Sequence, residues 1–267
     1  MKGLSLKAFE ALERMIKNRF DSISLKFLGI IPEKIKSKQI IFTTSKDNMI
    51  SLFLQSLGTD KPNSDEEQTL KTMIRVAGGY LDALRDRSTA KIMHDVDSHV
   101  TTQSLSNNPV SIKKINNIIN KEMDKAGRNL KMIVNSESSK AANVGLALQI
   151  SKKAEDVNDK NPTVYFIVTK DERTGPYEYI LHTLPDKTTP RVWKLNELNA
   201  SYYQPGEQFP SISGLHVNCR CRLAYLPEDY GFDEKGHIRF ISLGWDEFKT
   251  QRKKYGLPTV PQRIRIN

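Results

Sequence analysis

The chain has 267 residues, of which 38% are hydrophobic and 27% charged, with a formal net charge of +10. That length suits one large domain or two modest ones, with a thin core that fits an elongated or partly partner-covered protein. Two cysteines exclude a disulfide framework, no apolar run approaches a membrane span and no secretory signal is visible, so the sequence predicts folding in the cytosol.

The first half reads as helical. Leu6, Phe9, Leu12, Met15, Ile16 and Phe20 recur at three- and four-residue spacing, which predicts one amphipathic helix. Gly29 and Pro32 interrupt it. Ile40 to Leu54 is apolar only in patches and receives no assignment. Ser56 to Glu67 is polar, with Gly58, Pro62 and Asn63, and predicts a loop or linker. Leu70, Met73, Ile74, Ala77, Leu81 and Leu84 predict a second helix with a weak point at Gly78-Gly79. Thr101 to Pro109 reads as loop. From Ser111 a long stripe runs through Ile115, Ile119, Met123, Ala126, Leu130 and Ile133, with a kink near Asn135, and on to Ile150.

After Asn158 the texture changes. Val164 to Val168 is rich in β-formers. Tyr177 to Leu184 sets Tyr177, Tyr179 and Leu181 against Glu178, Ile180 and His182, the alternation of a strand. Arg191 to Leu195, Arg222 to Leu226 and His237 to Leu243 predict further short strands. Ser201 to Ser213 reads as loop, and Asp233 to Gly236 as a turn. Trp245 to Lys254 predicts a short helix. The fold class is therefore α+β, a helical N-terminal half followed by a small module of short antiparallel strands.

Both cysteines lie in Gly214-Leu215-His216-Val217-Asn218-Cys219-Arg220-Cys221. They are too close to bridge without strain. Cys-x-Cys with a nearby histidine can supply three zinc ligands, but a closed site needs a fourth, and no Cys-x-x-Cys half-site exists. The other histidines are His94, His99, His182 and His237. A nucleophilic cysteine needs a base and an orienting group; His182 or His216 could serve as the base. The plainer alternative is a pair of small buried cysteines packing a turn, with Asn218 and Arg220 hydrogen-bonding backbone.

The run from Leu215 to Leu223, ending in Leu226-Pro227, resembles the His-Pro-Asn-Cys-Arg-Cys signature that closes the phage Mu F-like minor head protein domain. Earlier segments match in order. Val134 to Gly145 resembles the family's helix with Thr-Glu followed by Ala, Asn and Gly. Val164 to Lys170 stands where the family has a strand. Asp171 to Pro176 resembles its Asp-x-Arg turn, Arg191 to Leu195 its second strand, and Gln208-Phe209-Pro210 the loop before the signature. The resemblance covers about residues 130 to 227. It divides the chain into a helical region 1–129, a Mu F-like α+β domain 130–230, and a hairpin, helix and basic tail 231–267. Three features depart from the family. Gly175-Pro176-Tyr177-Glu178 replaces the Cys-Pro-x-Cys that many relatives carry after the turn, Val217 replaces the signature proline, and Tyr177 to Thr189 is long.

The resemblance implies a virion component: a minor head protein inside the head near the portal vertex, made in the host cytoplasm. It would act in head assembly and in DNA packaging or ejection. Its partners would be the portal protein, the interior of the major capsid or scaffold shell, and packaged double-stranded DNA, with no membrane during assembly. Signature residues are His216, Asn218, Cys219, Arg220 and Cys221. The charge agrees, since a basic chain gains from counterion release against concentrated phosphate. The candidate DNA contacts are Lys249, Arg252, Lys253, Lys254, Arg263 and Arg265, with no acidic residue after Glu247. Lys34, Lys36 and Lys38 read as a solvated face. The alternatives are a toxin-like enzyme and a cytosolic nucleic-acid-binding module. The first lacks an ordered ADP-ribosyltransferase set or a ββα nuclease unit. The second lacks an aromatic platform or recognition helix. The expectation is no catalytic residue, no cofactor and no metal.

Overall fold

The computed structural model describes residues 6–27, 39–240 and 253–254. Four long helices come first: α1 (Leu6–Phe27), α2 (Gln39–Leu57), α3 (Ser64–Leu105) and α4 (Ile112–Asp156). A short helix and five strands follow: β1 (Thr163–Ile167), α5 (Pro176–His182), β2 (Val192–Lys194), β3 (Arg222–Tyr225), β4 (Tyr230–Phe232) and β5 (Ile238–Phe240). The α+β class holds.

Several boundaries differ from the sequence reading. The unassigned stretch from Ile40 is helix α2. The linker is shorter than expected, because α3 begins at Ser64. Asn63 caps it. Its Oδ1 accepts from the backbone N–H of Asp65 and Glu66 at 3.1 and 3.0 Å, and the Glu66 carboxylate accepts from the Asn63 N–H at 2.7 Å. This reciprocal box, followed by an acidic first turn, satisfies the orphan donors of the helix start. α3 then runs through Gly78-Gly79 without a break and continues to Leu105, into the segment expected as loop. α4 likewise runs unbroken past Asn135. The stretch Tyr177 to Leu184 is helix α5 for most of its length, not a strand.

The described residues form two compact units. One comprises those within Met1–Asp47 and Thr72–Asn135, the other those within Asn48–Lys71 and Ser136–Asn267. In the first unit Ile16 packs with Ile92, Met93, Val96, Val100, Ile119, Met123 and Ala126. These are the apolar stripes of α1, α3 and α4, buried as amphipathic helices require.

The second unit holds an antiparallel sheet of order β2-β1-β3. Val164 faces Trp193 on one side and Tyr225 on the other, and Phe166 faces Leu223. Alternate residues of β1, Val164 and Phe166, point into a core shared with Ala147 and Ile150 of α4. Leu181, Trp193, Phe209, Leu215, Cys219 and Cys221 complete it. α2 and α4 meet closely here. A Cβ on Gly145 would stand 2.6 Å from the Phe53 carbonyl oxygen and 3.0 Å from the Ser56 Cβ. A separate hairpin, β4-β5, turns at Asp233 to Gly236 as predicted. The Asp233 carboxylate accepts from the N–H of Lys235 and His237, and Gly236 takes the left-handed φ of +78°. The predicted helix Trp245 to Lys254 lies outside the described residues, apart from Lys253 and Lys254.

Candidate functional site

The segment Gly214 to Cys221 leaves the core and returns to it. Gly214 has φ of +108° and Asn218 of +64°, two left-handed residues that fold the chain back between them. The Cys219 N–H closes this turn on the His216 carbonyl at 3.1 Å. Cys219 and Cys221 then point inward and are buried, whereas Val217, Asn218 and Arg222 are exposed. Both thiols are free.

Three other segments hold this loop. The Ser136 hydroxyl on α4 accepts from the Asn218 N–H at 2.8 Å. Further along the same helix, the Asn143 amide donates to the Cys221 carbonyl at 3.0 Å and accepts from the Leu223 N–H at 3.1 Å. Both bonds are buried. Arg220 grips Asp171 in a two-pronged pair, with 2.7 Å on each prong. Asp171 also accepts from the Arg173 N–H at 2.9 Å. Arg220 foremost, aided by that N–H, holds the Asp171 carboxyl far below the ordinary aspartate range despite partial desolvation. The side chain of Arg220 therefore serves a carboxylate, not the backbone as expected.

The third segment is α5. Gly175 precedes it and Pro176 occupies its first turn, a favourable helix start because proline lacks only an N–H that would be unpaired there. Glu178, Leu181 and His182 are buried, while Tyr177 and Ile180 are exposed by 46% and 60%. Glu178 and His182, four residues apart on a helix, share the face that meets the cysteines. Sequence reasoning named His182 but missed Glu178. The available signal was the Gly-Pro start, the acidic first turn and the four-residue spacing.

His182 is fully buried and stacks on Phe166, with centroids 4.1 Å apart and planes at 26°. Its ring adjoins the Cys219 thiol. Burial holds the ring neutral, the adjoining Cys219 offsetting only part of that effect. His216 sits at the rim, where its Nδ1 meets the Val217 carbonyl at 2.8 Å and its Nε2 meets Glu178 Oε1 at 2.6 Å. Burial opposes a charge on His216, but the Val217 carbonyl and the Glu178 carboxylate together raise its pKa. The second oxygen of Glu178 is buried with no partner. The two thiols act as a pair. A hydrogen bond from Cys221 favours thiolate at Cys219 against the cost of burial, with His182 adding to it, and Cys221 is correspondingly pushed up.

The ligand atoms of His182, Cys219 and Cys221 lie within 4.8 Å of one another, and so do those of Glu178, His216 and Cys219. Two sulfurs, two imidazoles and a carboxylate thus converge, with Cys219 common to both groups. Each buried polar group left unpaired costs roughly 1–3 kcal/mol. The expectation of no metal rests on a missing fourth ligand; α5 brings two further donor residues to the motif.

Of the expected DNA contacts, Lys253 and Lys254 are exposed. Lys249, Arg252, Arg263 and Arg265 lie outside the described residues, as do Lys34, Lys36 and Lys38. Among the described residues no helix is long and apolar enough to cross a membrane. Comparison of the chain with protein-family models, curated proteins and solved structures finds no match.

Proposed function

We propose that this protein is a minor head protein of a tailed phage, held at the portal vertex and facing the interior of the head. There it would act in head assembly and in DNA packaging or ejection, and touch DNA through phosphates alone. The observation that carries this reading is the convergence of the separate segments that resemble the Mu F-like domain. Ser136 and Asn143 of the helix, Asp171 of the turn and Leu223 of β3 each bond the closing motif or lie within it. Phe166, Trp193 and Phe209, from the two strands and the preceding loop, share its core. Five segments of matching order that bond this loop or share its core are better support than a single short signature.

The charge supports the same setting. A net charge of +10 suits a place beside packaged DNA, where each neutralised phosphate releases a counterion. The direct test of the partner is co-expression of this chain with the portal protein of the same phage, followed by affinity purification through the portal. Stable co-purification is expected, and it should survive nuclease treatment. Recovery of the portal alone, or a complex lost with the nucleic acid, would contradict the reading.

A further inference from the structure

We propose that the closing motif and helix α5 together form a structural site for a thiophilic divalent cation, zinc, bound by His182, Cys219, Cys221 and Glu178. Zinc prefers four sulfur, nitrogen or oxygen donors in a closed tetrahedral arrangement. Three of these donors already stand together, buried, with ligand atoms within 4.8 Å of one another. The fourth enters at Cys219, where Glu178 and His216 form a second cluster of the same tightness.

The state of the ligand atoms points the same way. The ring nitrogens of His182 lie fully buried beside the Cys219 thiol, and the second oxygen of Glu178 is buried without a partner. A core rarely leaves such groups unpaired unless something else satisfies them. A divalent ion would give one nitrogen of that ring a ligand partner. It also neutralises the cysteines, which lose their protons on binding. His216 is a positioning residue. Its ring bonds the other Glu178 oxygen at 2.6 Å, as the outer partners of ligating carboxylates do.

Geometry argues for a structural rather than a catalytic ion. Cys219, Cys221 and His182 are 5%, 4% and 0% exposed, so a substrate has no approach, and all four positions are taken by protein. The ion would bind α5 to the loop before β3. The inference is independent of the head-protein reading.

The test uses the full chain. It should purify with one zinc per chain by elemental analysis. Apo protein titrated with cobalt(II) should saturate at one equivalent, with the visible bands of a tetrahedral site and a thiolate-to-cobalt charge-transfer band. Cys221→Ser and His182→Asn should weaken or abolish that band, while His237→Asn, on the exposed hairpin, should leave it unchanged. Glu178→Gln and His216→Gln should weaken metal affinity on the order of tenfold to a hundredfold. Should the cysteine variant fail to fold, the wild-type cobalt spectrum still decides. No zinc after purification together with no thiolate band on cobalt titration overturns the site. Wild-type affinity in Glu178→Gln overturns the fourth ligand.

Discussion

Asn143 spans the gap between α4 and the free edge of β3, and both ends of its amide are used. Removing it leaves a buried carbonyl and a buried N–H unpaired, each costing roughly 1–3 kcal/mol. Asn143→Ala is therefore expected to lower unfolding free energy by about 2–5 kcal/mol, read as a fall in the urea midpoint. A loss below about 0.5 kcal/mol, the range of an ordinary surface change, would mean that water replaces the amide. Gly145 acts through space, not through bonds. An added Cβ would meet the Phe53 carbonyl and Ser56, so Gly145→Ala should destabilise by about 1–3 kcal/mol through forced separation of α2 and α4. Unchanged stability would show that α2 yields. Asp171 carries a pH dependence. Its pKa is depressed in the folded state, so its contribution is present above the ordinary aspartate range, near pH 3.9, and is lost as pH falls through and below it. Asp171→Asn should lower Tm at pH 7 and converge with wild type in strong acid. A gap that persists there would show that the pair with Arg220 is not its cause. At this scale the signature itself was legible, since His216, Cys219 and Cys221 lie within one short run. Asp171 as the partner of Arg220 was not, because 49 residues separate them.

At the scale of elements, legibility followed length and periodicity. The long stripes of α3 and α4 were plain because many turns repeat the same spacing. Their ends were misjudged where one residue's usual meaning prevailed over its context. Gly78-Gly79 reads as a weak point within the helix, and a helix of 42 residues carries the cost of about 1 kcal/mol per glycine. A Cβ added to Gly79 would meet no atom within 4 Å. Gly79→Ala should therefore raise stability by about 0.5–1 kcal/mol, a rise of a few degrees in Tm at most. A fall would show that the glycine is needed for something other than its backbone. α5 was misread for a physical reason as well. Over seven residues, alternation and a helical face are hard to separate: Glu178 and His182 share a face in either reading. The outward turn of Ile180 and the burial of Leu181 beside them tell the two apart. That error hid the donor set, since the strand reading gave no cause to bring this face to the cysteines.

At the scale of the whole molecule, charge and assembly are the tests. The cations Lys249, Arg252, Lys253, Lys254, Arg263 and Arg265 form the most basic stretch of the sequence. If all engage phosphates, log affinity should fall with log salt at a slope of up to about −5. Truncation after Glu247 should weaken binding to any duplex equally and flatten that slope; identical slopes with and without the tail would assign it to a protein partner instead. The division into two compact units was only partly legible. The helical and α+β textures were visible, but residues within Asn48–Lys71 belong with the second unit through contacts distant in sequence. Placement at the portal vertex makes the sharpest demand on copy number. Quantitative mass spectrometry of purified procapsids and virions, referenced to the major capsid protein, measures it directly. The expected result is a small, fixed number of copies per head, already present in procapsids before DNA enters. A copy number rivalling the capsid protein's, or absence from procapsids, would contradict it.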